Sequence, residues 1–213
     1  MKVLIACEYS GVVREAFAKL GHDAMSCDLL PTEQPGSHYQ GDVRDVLYEN
    51  WDLLIAHPEC TYLTNAGVCH LHTDPSRWPK LFEAADFFKL FLNAKHIQKR
   101  AIENPIMHKY AKTLIGGMQQ TQIVQPWMFG HTEQKATCLW LHGLDPLEST
   151  HNVKEEMMLL PKNQRERLHY LPPSPDRWKE RSRTYQGIGD AMASQWGGNI
   201  QQKEQQDLFE VAV

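Results

Sequence analysis

The sequence predicts a doubly wound α/β domain on a mostly parallel sheet. Three observations carry this expectation. Short apolar runs recur along the chain, amphipathic segments at helical spacing lie between them, and turn-forming residues follow the runs. The 213 residues suit one such domain with a small appendage. Hydrophobic residues make up 42% and charged residues 23%, a globular balance with enough apolar side chains for a core.

The elements follow in order. Lys2–Cys7 is an apolar run that reads as a first buried strand rather than a signal peptide. Ser10-Gly11 turns the chain, and Val13, Phe17 and Leu20 then fall at helical spacing until Gly21. Asp23–Cys27 reads as a second strand. Trp51–Ala56 (WDLLIA) is another, cut off by Pro58. Arg77–Ala94 carries Leu81, Phe82, Ala85, Phe88 and Leu92, the pattern of an amphipathic helix. Arg100–Glu103, Thr121–Val124 and Thr137–His142 read as short buried strands, and Gly187-Ile188-Gly189-Asp190-Ala191 opens a last helix. Residues 1–196 are therefore expected to form a single domain. Within it, residues 145–184 form a Pro-rich, charged insert of weak periodicity. Residues 197–213 are expected to be a flexible tail.

Composition narrows the function. A net charge of -4 argues against coating nucleic acid by bulk electrostatics, although a local basic patch is compatible with it. From His151 to Arg183 there are eight Lys/Arg against five Asp/Glu, so the insert is a candidate for such a patch. No apolar run reaches the roughly 18 residues of a membrane span. Five irregularly spaced cysteines, Cys7, Cys27, Cys60, Cys69 and Cys138, suggest free thiols and a cytoplasmic location. Cys60, Cys69, His70 and His72 have the residue types of a zinc site but not a standard spacing, and no metal is expected.

Ligands of open parallel sheets sit at the carboxyl ends of the strands. Those positions hold Cys7-Glu8-Tyr9-Ser10-Gly11, Asp28, Gly41-Asp42-Val43, His57-Pro58-Glu59-Cys60 and Glu103-Asn104-Pro105. In this order they resemble the DNA cytosine-5 methyltransferases, in a short form such as phages and prophages carry. The resemblance spans roughly residues 1–141 and 183–196, and it implies a Rossmann-like S-adenosylmethionine-dependent methyltransferase fold. Tyr9, Ser10 and Gly11 resemble the first cofactor motif. Asp28 matches the acid for the cofactor ribose, and Asp42 matches the residue near the adenine. Pro58 and Cys60 resemble the nucleophile loop. Glu103 and Asn104 match the pair that grips the target cytosine. Gly189 and Asp190 fall in the motif that closes the cofactor pocket.

The expected activity is therefore transfer of a methyl group to carbon 5 of cytosine in DNA. Cys60 would be the nucleophile at carbon 6 and Glu103 the acid at the ring nitrogen. The target base must be reached outside the stack. An alternative expectation is a catalytically inactive binding protein of the same fold, with a phage accessory or anti-defence role.

Departures from the family pattern bear on both. Glu59 stands where the family has Pro, and a carboxylate beside a thiol disfavours the thiolate if it points inward. The family's Gln-x-Arg-x-Arg motif is missing near residues 133–137. Lys135, or Arg181 and Arg183 from the insert, are the candidate replacements on the nucleic acid. The insert is too short for a separate recognition core. Finally, Gln205, Leu208 and Phe209 sit in a stretch resembling the peptide that docks bacterial proteins on the DNA sliding clamp. A clamp is thus a second expected partner.

Overall fold

The computed structural model describes residues 1–198. Gln205, Leu208 and Phe209, the candidate clamp-binding residues, lie outside the described residues. Seven strands form one sheet: β1 (Lys2–Ala6), β2 (Asp23–Asp28), β3 (His38–Gln40), β4 (Leu53–Ala56), β5 (Lys99–Pro105), β6 (Gln122–Val124) and β7 (Thr137–His142). Their order is β3-β2-β1-β4-β5-β7-β6. The first five pair in parallel, and β7 runs antiparallel to both β5 and β6. The fold is therefore α/β with a mostly parallel sheet.

The central strands are apolar at nearly every position because both faces are covered, as parallel sheets require. Leu4, Leu54, Ala56, Ile102 and Trp140 point into one core, where Leu81, Phe88 and Phe91 of α3 (Arg77–Leu92) meet them. Val3, Ile5, Leu53, Ile55 and Leu139 point into the other. That core is closed by Val13 and Phe17 of α1 (Val12–Lys19) and by Ile188 and Met192 of α9 (Gln186–Met192). Two short helices, α2 (Asn65–Val68) and α4 (Lys109–Leu114), follow β4 and β5.

The structure corrects several boundaries. Cys7 is not in β1: it turns the chain with φ 60°. β3 has three residues after a Pro-Gly loop, too few to show an alternation, and the sequence pattern does not predict it. The insert carries four short helices, α5 (Lys154–Leu159), α6 (Lys162–Arg165), α7 (Arg167–Tyr170) and α8 (Arg177–Ser182). At four to six residues, none is long enough for its period to be read from sequence.

Candidate functional site

Strand order reverses between β1 and β4, and the crevice beyond their carboxyl ends is where such sheets place ligands. The His57 N–H donates to the Ala6 carbonyl at 2.9 Å, joining the two strand ends across that crevice. Two groups of polar side chains meet there, one from each half of the sheet.

The first group follows β1 and β2. The turn after β1 buries a carboxyl group: Glu8 is 4% exposed. Its Oε1 accepts the Val13 N–H at 2.7 Å and the Ser10 hydroxyl at 3.3 Å, and its Oε2 accepts the Arg14 N–H at 3.2 Å. Glu8 thus occupies the positive end of α1, where a pyrophosphate would otherwise bind. Gly11 has φ 73° and lies against the Arg14 guanidinium and Gln34, so its freedom serves this packing rather than an open approach to a ligand.

Asp28 ends β2 and accepts the Leu30 N–H at 2.9 Å. Burial pushes its carboxyl up, only partly offset by that hydrogen bond and by His38. Asp42 instead accepts the Arg44 backbone N–H at 2.9 Å and its guanidinium at 2.8 Å, which hold its carboxyl below the usual range. Burial, followed by the charges of Asp28, Cys27 and Asp42, pushes the Cys7 thiol well up. This half of the crevice thus gathers the carboxyl groups of Glu8, Asp28 and Asp42, the last paired with Arg44.

The second group follows β4 and β5. The parallel register sets His57 beside Glu103, and His57 Nδ1 lies 3.1 Å from Glu103 Oε2. Asn104 Nδ2 donates to the Pro58 carbonyl at 2.9 Å, clamping the loop that carries Cys60 onto β5. The loop is held from its far side as well. The His108 N–H donates to the Leu63 carbonyl at 2.8 Å, and Gly67 of α2 lets the Thr61 carbonyl pack where a Cβ would clash. Burial pushes Glu103 up, but the hydrogen bond and charge of His57, with Lys135 behind them, outweigh it and leave the carboxyl below its ordinary value.

The Cys60 thiol is raised, by burial first and by Glu103 second, while Lys135 and Arg181 pull it down. Glu59 is exposed and acts on it less than Glu103 does. The structure therefore brings Cys60, Glu103, Asn104, Lys135 and Arg181 together. No family model matches the chain, and no curated protein matches it.

Lys135 is placed by the insert. Its Nζ donates to the carbonyls of Arg181 at 2.8 Å and Arg183 at 3.3 Å. The same segment covers the first group. The Tyr9 hydroxyl donates to the Lys179 carbonyl at 3.0 Å, and the Tyr9 ring lies 6.0 Å from Trp178. Arg183 pairs with Glu33 at 2.6 Å and Glu180 at 3.2 Å, a latch from the insert to the loop after β2.

Gly189 packs α9 against Val12 and Val13 at the start of α1, beside the N–H that holds Glu8, and the neighbouring exposed Asp190 accepts the Gln186 side-chain amide at 2.8 Å. A groove of about 500 Å³ runs along α3 between Arg44, Phe87 and Asn93, and holds none of the candidate residues. Among the described residues no three His, Cys, Asp or Glu side chains converge as metal ligands. No helix there is long and apolar enough to cross a membrane.

The sequence places His57 and Glu8 at strand ends but assigns neither a role; their hydrogen bonds do. Each follows directly or nearly so on an apolar strand, and that position was the available signal.

The placement of Lys135 makes a direct prediction. In a Cys69→Ser background, the alkylation of Cys60 by iodoacetamide should reach half its maximal rate at a higher pH in Lys135→Met than in the parent. The removed ammonium is one of two cations that favour the thiolate. An unchanged midpoint, read by mass spectrometry of the Cys60 peptide, would show that Lys135 does not act on the thiol.

Proposed function

We propose that the chain transfers a methyl group from S-adenosylmethionine to carbon 5 of cytosine in DNA, as the DNA cytosine-5 methyltransferases it resembles do. The observation that carries this reading is the convergence of Cys60 and Glu103 at neighbouring strand ends, with Lys135 acting on both. A thiol, a carboxyl group and a cation in one crevice suit addition to an electron-poor ring.

The first group fits the methyl donor. The carboxyl groups gathered there suit a sulfonium ion, whereas Glu8 on the α1 terminus disfavours a pyrophosphate. The under-compensated Asp28 carboxyl would gain from the two donors of a ribose diol. When bound, S-adenosylmethionine supplies an electrophilic methyl group. Tyr9, held under α8, would screen that half of the crevice from water.

The protein's own steps follow from the second group. Cys60 first loses its proton to solvent, a step that burial and Glu103 oppose and Lys135 and Arg181 favour. Its Sγ then adds to carbon 6 of cytosine as ring nitrogen 3 takes a proton from the Glu103 side, and carbon 5 becomes nucleophilic. Since Glu103 is ionised at rest, that proton must reach it, and His57 stands on its Oε2. After methylation, a base removes the carbon-5 proton, Cys60 departs as the thiolate, the ring regains its 5,6 double bond and nitrogen 3 returns its proton to the Glu103 side.

The test is a covalent trap. In the presence of S-adenosylmethionine, DNA carrying 5-fluorocytosine should leave the intact chain bound through Cys60, because once carbon 5 is methylated its fluorine is not lost as a proton is. Cys60→Ser should give no adduct and no methyl transfer. Full methylation by Cys60→Ser would overturn the mechanism. Absence of both adduct and transfer in the parent chain would favour a non-catalytic role.

A further inference from the structure

Two residues after Cys60 the chain enters a surface of clustered aromatic rings. Trp78 of α3 lies 5.5 Å from Tyr110 of α4 and 6.3 Å from Phe82, with His72 5.9 Å from Trp78 and 6.1 Å from Tyr110. Trp78 and Tyr110 rest on the core with their rings half-buried, while His72 is exposed and Phe82 is 47% exposed. A buried cluster would be ordinary packing; this one reaches solvent along one side.

Cations stand over its edges. Arg77 and Lys80 lie 5.0 and 5.6 Å from the Tyr62 ring, and Lys109 lies 5.5 Å from that of Tyr110. The surface is fastened to the nucleophile loop by the Thr64–Met107 bridge and by the His108 N–H on the Leu63 carbonyl. Aromatic faces interleaved with cations are the pattern that stacks unpaired bases while neutralising their phosphates.

The geometry points to this platform as a binding site for single-stranded nucleic acid, running from Trp78 and Tyr110 past Tyr62 toward Cys60. A duplex keeps its base faces in its own stack and offers such rings nothing to stack on. An acidic peptide would satisfy the cations but leave the aromatic faces unused. A strand lying here also presents its bases already unstacked, so that no separate recognition domain has to extrude the target. The assignment rests on the reading above only for the identity of the target base, since strand binding requires no methyl donor.

The test is fluorescence anisotropy of a labelled 12-nucleotide cytosine-containing strand with the full chain, without S-adenosylmethionine. The strand should bind more tightly than the same sequence as duplex. Trp78→Leu should weaken binding about tenfold, the loss of roughly one stacked base. Because Trp78 also touches the core, a second variant keeps the test independent of folding. Lys80→Glu with Lys109→Glu, both exposed, should weaken binding and flatten its salt dependence by about 0.7 for each phosphate no longer neutralised.

Equal affinity for strand and duplex would overturn the assignment. So would unchanged binding in both folded variants. No binding by the parent chain at micromolar concentration would also overturn it and leave the surface to a protein partner. Strand binding without methylation would refute the proposed chemistry while leaving this site in place.

Discussion

Arg14→Met should destabilise the chain by about 3 kcal/mol and loosen the loop of residues 29–37. Arg14 is 1% exposed although it is charged. Its guanidinium donates to Ser26 Oγ at 3.0 Å, Thr32 Oγ1 at 3.1 Å, and the carbonyls of Gln34 and Pro35 at 2.9 Å each. Glu15 Oε1 accepts from it at 3.0 Å. Methionine keeps much of the length but none of the donors. Leaving buried acceptors unpaired costs about 1–3 kcal/mol each, and the loop's access to water limits the total.

For a chain of this size that is a fall in melting temperature of about 6–12 °C. The same loop joins Asp28 to the crevice and gives its Glu33 N–H to the Tyr9 carbonyl at 2.9 Å. Hydrogen exchange should therefore rise across residues 29–37 before it rises in β1 or β4. A melting temperature within about 2 °C of the parent, a threshold set well below the expected shift, would show that water replaces Arg14 at little cost.

His57→Ala should invert the titration of Glu103. In the parent the carboxyl lies below its ordinary value of about 4.3, because His57 and Lys135 overcome burial. Without His57, burial dominates and the carboxyl should titrate above that value. The groups acting on it are His57 from the end of β4 and Lys135 from the loop before β7, with the Cys60 thiol nearby.

The stability consequence has opposite signs in the two proteins. A depressed carboxyl stabilises the fold above its unfolded value, and this is lost as pH falls through the folded one. A raised carboxyl stabilises below its unfolded value, and this is lost as pH rises through the folded one. The variant's deficit relative to the parent should therefore be larger at about pH 7 than at about pH 4, points on either side of the carboxyl range. Carbon-13 spectra of glutamate-labelled protein read the titration directly. His57→Asn, which restores a side-chain donor, should recover part of the shift. Adduct formation should fall by at least about tenfold in His57→Ala if Glu103 is the acid, with His57 acting as a positioning residue. A Glu103 titration unchanged from the parent would remove His57 from the site.

Much of the frame was legible in the chain. WDLLIA reads as a buried strand because parallel strands covered on both faces need apolar side chains at consecutive positions, and Leu53–Ala56 are all buried. Cys60, in the loop after β4, and Glu103, near the end of β5, were legible as a pair only through the order of motifs that resembles the methyltransferases, since a lone residue at a strand end says little. Elements of three to six residues were not legible. β3 and the four helices of the insert are too short for a period to emerge, and long-range contacts hold them.

By itself, then, the sequence determined the α/β class, the central strands, and which chemical groups end them. Local periodicity and turn residues suffice for that, because they act over a few neighbouring positions. What only the tertiary structure decided is which of those groups share an environment. It turned Arg183 onto Glu33, 150 positions away, and held Lys135 on the Arg181 carbonyl, from where its charge reaches Cys60 and Glu103. It placed Glu8 on the α1 terminus and stacked Trp78 beside Tyr110. The reason is physical: electrostatic and stacking energies depend on distance and burial in space. Residues far apart in the chain acquire both only when the sheet brings its strand ends, and the loops that follow them, to one edge.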